Sequence, residues 1–199
     1  MDKKNKLKNF VNFYADKVKH LISSVDEESL KKIINLILQT SRQKKKIFVC
    51  GNGGSASISS HYICDYLKLL RQNTGVKLKI ISLVDNISTL TAISNDFSYK
   101  DVFKYQAESL AEKGDLFIII SSSGKSENVI NLARWAKSKK YKVISFTGFT
   151  GGKLKNASDI NININEKNYG RVEDCHHILM HIVMHFISLK KSKSKKIIL

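Results

Sequence analysis

Two hydrophobic rhythms alternate along the chain. Over residues 4–22 and 27–43 apolar positions recur at helical spacing: Leu7, Phe10, Val11, Phe13, Tyr14 and Val18, then Leu30, Ile33, Ile34, Leu36 and Ile37. Ser24 followed by Glu27 reads as a capping box for the second of these helices. Short apolar runs come next: "KIFVC" at 46–50, "LKIISLV" at 78–84, "DLFIIIS" at 115–121 and "YKVISFT" at 141–147. None alternates with polar residues, as expected of strands covered on both faces. "SDINININ" at 158–165 alternates strictly and predicts an edge strand. Helical patterns fill 55–71, 100–112, 126–139 and 171–190.

Strand and helix in regular turn predict an α/β protein with parallel strands and right-handed crossovers. The expected architecture is a three-layer αβα sandwich on a five-stranded parallel sheet. A helical segment precedes it at 1–45 and a lysine-rich tail follows at 190–199. No linker or repeat divides the 199 residues, so one domain is expected.

Composition narrows the classes. No apolar run approaches the roughly 18 residues of a membrane span, and the first residues show no secretory apolar region. A soluble, cytoplasmic protein is the expectation. Three cysteines, Cys50, Cys64 and Cys175, make neither a disulfide framework nor a structural zinc motif. Lys and Arg number 34 against 17 acids, a formal net charge of +17. The lysines gather at the ends and in "RQKKK" without interleaved aromatics, so nucleic acid is not the expected partner. A basic surface also steers phosphorylated small molecules.

In such sheets ligands bind beyond the carboxyl ends of the strands. Two loops lie there: "GNGGSAS" after the first strand and "SSSGKSEN" after the third. Gly51, Gly53 and Ala56 satisfy the dinucleotide pattern G-x-G-x-x-A, but the next suitable acid, Asp85, lies 29 positions past Ala56. That fingerprint places its acid about 20 residues on. No Lys-Ser/Thr pair follows the glycines either, so no nucleotide cofactor is expected. There remains a turn that presents backbone N–H groups to an oxyanion at a helix N-terminus. Ser121, Ser122, Ser123 and Ser126 place four hydroxyls at the start of another helix. One serine there would be a cap; four suit a terminal phosphate.

His61 and Asp65 are four apart and share a helix face. His177, His181 and His185 recur at the same interval on the last helix, with His176 pointing elsewhere. One or two of these four histidines are expected to be functional, since Ile178, Leu179, Ile182, Val183 and Phe186 serve to pack that helix.

Five segments taken together, "CGNGGSASISSHYICDYLK", "TAISNDFSYKDVF", "GDLFIIISSSGKSENVINLARWAK", "VISFTGFTGGKL" and "RVEDCHHILMHIVMH", resemble the sugar-isomerase (SIS) domains, and among them the phosphoheptose isomerases. The likeness runs over about residues 30–190. It implies a flavodoxin-like SIS fold, a homotetramer with sites between subunits, and isomerisation of sedoheptulose 7-phosphate to D-glycero-D-manno-heptose 7-phosphate, a precursor for lipopolysaccharide or capsule. Carried over residue by residue, the phosphate loop falls on Ser121, Ser122, Ser123 and Ser126. Asn52, Gly53, Ser55, Asn95, Asp96 and Glu173 fall near the sugar. Asp65 is the implied base and His181 the implied acid. His61, Asp65, Glu173 and His181 form the implied zinc set, one ion per subunit.

Three positions depart from the family pattern. Asp65 stands for its glutamate, Glu173 for its glutamine and Gly170 for an aspartate. A free aspartate titrates near about 3.9, so a base at 65 needs help from its surroundings or a metal. Glu173 and His181 are also eight residues apart, about 12 Å along a helix. Either two subunits share the ligands, or the last helix begins after Glu173. SIS isomerases of other phosphosugars, and non-catalytic SIS modules that bind the bacterial replication initiator, are the competing expectations.

Overall fold

The computed structural model describes residues 5–191. Two helices, α1 (Lys6–Ser23) and α2 (Glu27–Arg42), lead into β1 (Lys46–Gly51), α3 (Gly54–Asp65) and the short α4 (Arg71–Thr74). Then come β2 (Lys79–Ser82), α5 (Ile87–Asp96), α6 (Val102–Leu110), β3 (Leu116–Ser121) and α7 (Glu127–Ser138). The chain ends in β4 (Lys142–Gly148), α8 (Gly152–Asn156), β5 (Ile160–Ile164) and α9 (Tyr169–Lys191). Most of the lysine-rich tail lies outside the described residues.

The five strands form one parallel sheet in the order β2-β1-β3-β4-β5. Alternate residues of each strand feed different layers, because successive side chains point to opposite faces. Ile47, Val49, Ile118 and Ile120 pack with residues of α2, α3 and α9. Phe48, Cys50, Phe117 and Ile119 pack with residues of α5, α6, α7 and α8. The sandwich and the edge position of the alternating strand are as the sequence implies. Among the described residues no helix is long and apolar enough to cross a membrane.

Four local expectations need correction. The cap of α2 is Asp26, whose carboxylate accepts from the Ser29 amide at 2.8 Å and its hydroxyl at 2.7 Å. Ser24 instead closes α1, its hydroxyl donating to the Leu21 carbonyl. The helix expected at 55–71 is interrupted after Asp65 by a π-turn, Tyr66–Leu70. Helix α5 falls where no element was expected; Asn86 starts it by accepting from the Thr89 amide, and Ile93 is its one buried residue. Finally, α9 begins at Tyr169, so Glu173 lies inside the helix and not before it.

Strand order reverses between β1 and β3, whose carboxyl ends carry the glycine and serine loops. The topology thus places both loops at the switch point, where open α/β sheets bind ligands.

Candidate active site

The two loops enclose a cavity of about 260 Å³ lined by Asn52, Gly53, Gly54, Ser55, all four loop serines, Tyr169 and Glu173. Ser121 and Ser123 partly serve the turn: their hydroxyls accept from the Gly124 and Lys125 amides, each at 3.2 Å. Ser122 and Ser126 are different. The buried Ser122 hydroxyl has no partner, and Ser126 sits at the N-cap of α7 without making a capping bond. A buried hydroxyl is rarely left unpaired, so Ser122, with Ser126 in the same lining, points to an acceptor-rich ligand. The N-termini of α3 and α7 aim at the same space, which suits a phosphate.

Asn52 is held by its neighbours. Its amide pairs reciprocally with that of Asn128 at 2.9 Å, and its Oδ1 also accepts from the Tyr99 hydroxyl at 2.7 Å. Gly53 has φ of +54°, a left-handed conformation that glycine adopts without strain. Next to it, a Cβ at Gly54 would overlap the Glu173 carboxylate. The glycine therefore lets α9 bring an acid against the first turn of α3. Burial, with Asp174 nearby, raises the Glu173 carboxyl above the usual range.

Further along the contact between α3 and α9 lies a second cluster. Asp65, 6 % exposed, points Oδ2 at Nε2 of His181 at 3.0 Å and at Nε2 of His61 at 3.3 Å. The two imidazole nitrogens are 3.3 Å apart. The ring of His177 lies 4.7 Å from that of His61 and 4.8 Å from that of His181, centre to centre. Ligand nitrogens of the three histidines fall within 4.8 Å of one another, so together they could hold a metal ion. Burial and the neighbouring imidazoles lower the His177 pKa, favouring the neutral ring a metal requires. Beneath the cluster, Tyr62 and Tyr66 stack at 4.4 Å, fully buried, on either side of the start of the π-turn.

The expected site residues therefore divide. Asp65, His61 and His181 come together in one chain, and the serines, Asn52, Gly53, Ser55 and Glu173 come together in the cavity. Glu173 is not part of the histidine cluster in this chain; it faces Gly54. Asn95 and Asp96 are bonded to each other at the exposed end of α5 and do not line the cavity. His176 is structural: it is buried with Nε2 against the Thr147 carbonyl at 3.1 Å. Burial drives its pKa down to about 4. His185 is exposed, its ring 6.4 Å from that of His181. Sequence reasoning missed Tyr169 and Tyr99, for which the sequence carries no chemical signal. It gave His177 no role, although its spacing from His181 was visible.

Comparison with known proteins agrees with this geometry. Residues 13–148 match the SIS domain family. The phosphoheptose isomerase of Helicobacter pylori (strain ATCC 700392 / 26695) is 39% identical over 160 residues, covering 79% of this chain and 81% of that protein. The phosphoheptose isomerase of Clostridium acetobutylicum is 36% identical over 156 residues, covering 78% and 79%. Among solved structures, the phosphoheptose isomerase of Neisseria gonorrhoeae superposes with a TM-score of 0.80 at 30% identity, over 91% of this chain and 97% of that one. That of Francisella tularensis shares the fold, with a TM-score of 0.83 at 24% identity, over 94% and 99%. The chain belongs to the SIS-domain family, in its phosphoheptose isomerase branch.

Proposed function

We propose that the chain is an aldose–ketose isomerase that converts D-sedoheptulose 7-phosphate to D-glycero-D-manno-heptose 7-phosphate in the cytoplasm. One observation carries this reading: a buried carboxylate 3.0 Å from an imidazole at one end of the α3–α9 contact, whose other end borders the serine cavity. From Glu173, beside the cavity, to His181 is about 12 Å along α9, a span that suits a long sugar phosphate and exceeds a triose phosphate.

The serine loop and the two helix N-termini hold the phosphate, so remote binding energy orients the reacting carbons. Asp65 takes the proton from C1 of the ketose; its Oδ2 is engaged by the imidazoles, which leaves Oδ1 for the substrate. His181, its Nε2 engaged at the cluster, donates the proton of Nδ1 to the C2 carbonyl oxygen as the enediol forms. Return of a proton to C2, with loss of one from the C1 hydroxyl, gives the aldose, and no external oxidant or reductant is needed. His61, Asp65 and His181 are competent zinc ligands by type. A zinc ion there would polarise the substrate oxygens and increase the acidity of the C1 proton.

The same reading includes self-association. Asn95 and Asp96 are exposed outside their own cavity, where a neighbouring subunit could use them. Leu7, Phe10 and Val11 of α1 and Ile182, Phe186 and Leu189 of α9 expose apolar surface along two packed helices. Exposed apolar side chains toward each end of this helix pair suit an interface, which in this branch would be that of a homotetramer.

Asp65→Asn and His181→Ala are the test. General acid–base groups contribute about 10²- to 10⁴-fold. Each variant should lose kcat on that scale while remaining folded by circular dichroism. Unchanged turnover in either would remove it from the chemistry. Absence of turnover in the wild-type chain on sedoheptulose 7-phosphate, but conversion of a different ketose phosphate, would reassign the substrate. Absence on all of them, with binding to the replication initiator, would reassign the class.

A further inference from the structure

We propose that His177, not Glu173, completes the metal site of this chain, giving a His61–Asp65–His177–His181 set contained within one subunit. The inference rests on the reading above that the chain holds a zinc-type ion.

Ligand separations carry the first part. With metal–ligand bonds of about 2.0–2.1 Å, the edges of a tetrahedral site are about 3.3 Å long. The three contacts among Asp65 Oδ2, His61 Nε2 and His181 Nε2 are 3.0, 3.3 and 3.3 Å. Three vertices of such a site are therefore already in place. His177 is the remaining ligand type beside them, with a ring nitrogen within 4.8 Å of those of His61 and His181. Its Nε2 is buried and has no hydrogen-bond partner. A buried ring nitrogen left unpaired is costly, and coordination at the cluster would place the imidazole in use.

Helix geometry carries the second part. The four residues form two i, i+4 pairs, His61/Asp65 on α3 and His177/His181 on α9. The helices run side by side in the same direction: Gly54 meets Glu173 at one end, and Asp65 meets His181 at the other. Each pair projects from one face of its helix, so the two faces close around one point. Glu173 lies one turn before His177. Helical side chains lean toward the N-terminus, which turns Glu173 away from the cluster and toward the cavity. Its carboxylate is found there, against Gly54. Three nitrogens and one carboxylate oxygen form a donor set suited to zinc.

The experiment uses the full chain loaded with zinc or cobalt(II), reading metal content after competition with a chromophoric chelator. Wild type should retain one ion per chain. His177→Ala should weaken retention by at least about 100-fold, since even changes outside the ligand shell cost 10- to 100-fold. Glu173→Gln should retain metal like wild type. His177→Cys, loaded with cobalt(II), should gain a near-ultraviolet sulfur-to-cobalt charge-transfer band absent from wild type, a signature that a packing role for position 177 would not give. Loss of metal in Glu173→Gln with retention in His177→Ala, or no new band in a folded, cobalt-loaded His177→Cys, would overturn the proposal. A wild-type chain that binds no metal would overturn it together with the zinc reading, while turnover of the metal-free chain would still judge the isomerase reading by itself.

Discussion

At the scale of single residues, the site is made of groups whose hydrogen bonding is incomplete within the chain. The four loop serines looked equivalent in the sequence. In the structure Ser121 and Ser123 are tied to loop amides, whereas the buried Ser122 hydroxyl has no partner and Ser126 makes no capping bond. The phosphate should lean on the second pair. A hydrogen bond to a charged group contributes about 1.5–3 kcal/mol. Ser122→Ala and Ser126→Ala are each expected to lower kcat/KM about tenfold or more in steady-state assays. If kcat/KM is unchanged in both, the hydroxyls only shape the turn. The shared face of His61 and Asp65 was legible from their four-residue spacing on one helix, while the roles of Asp65 and His181 came from the resemblance. The pairing of one helix with the other was not legible, since nothing in a one-dimensional pattern states which turns of α3 and α9 touch. Glu173 was grouped with the metal ligands because it stands where the family has a glutamine; its place against Gly54 was not legible.

At the scale of elements, the strands were the most legible feature. Runs such as "DLFIIIS" are apolar throughout, because β3 is buried on both faces. Helix α5 was missed for the opposite reason: with Ile93 alone buried, it shows no apolar stripe. The π-turn after Asp65 was also invisible, as it leaves the apolar spacing nearly unchanged while rotating the next helical turn. Such single-turn π segments occur frequently at functional sites, and this one adjoins the proposed base. In α9, His176 ties the helix to β4 through the Thr147 carbonyl and is kept neutral by burial. The consequence is a pH dependence of stability. Its pKa is about 4 folded, against an ordinary 6.5, so between these values the unfolded chain binds the extra proton. Stability therefore falls as pH drops from about 6.5 and levels off below about 4, a loss on the order of 3 kcal/mol. Thermal melts from pH 7 to pH 4 should show this slope, and His176→Asn should flatten it. An equal slope in the variant would mean that other groups carry the acid sensitivity.

At the scale of the whole molecule, charge and topology act together. The sheet order places both loops at one switch point, and the parallel run of α3 and α9 leads from the phosphate cavity to Asp65 and His181. Lys100, Lys125, Arg134 and Lys153 line a further groove, of about 590 Å³, along α7. With a formal charge of +17 the molecule as a whole attracts anions such as sugar phosphates. The fold class was legible from the order of strand and helix patterns, a phosphate site from the serine loop, and the isomerase chemistry only from the resemblance. The central claim, that Asp65 moves a proton between adjacent carbons of a seven-carbon ketose phosphate, is tested most directly by one measurement. Sedoheptulose 7-phosphate is incubated with the full chain in deuterated water, and the products are followed by NMR. The expected product is D-glycero-D-manno-heptose 7-phosphate labelled at C2, with product and label both lost in Asp65→Asn. Product and label at wild-type rate in that variant, or neither from a folded wild-type chain, would contradict it.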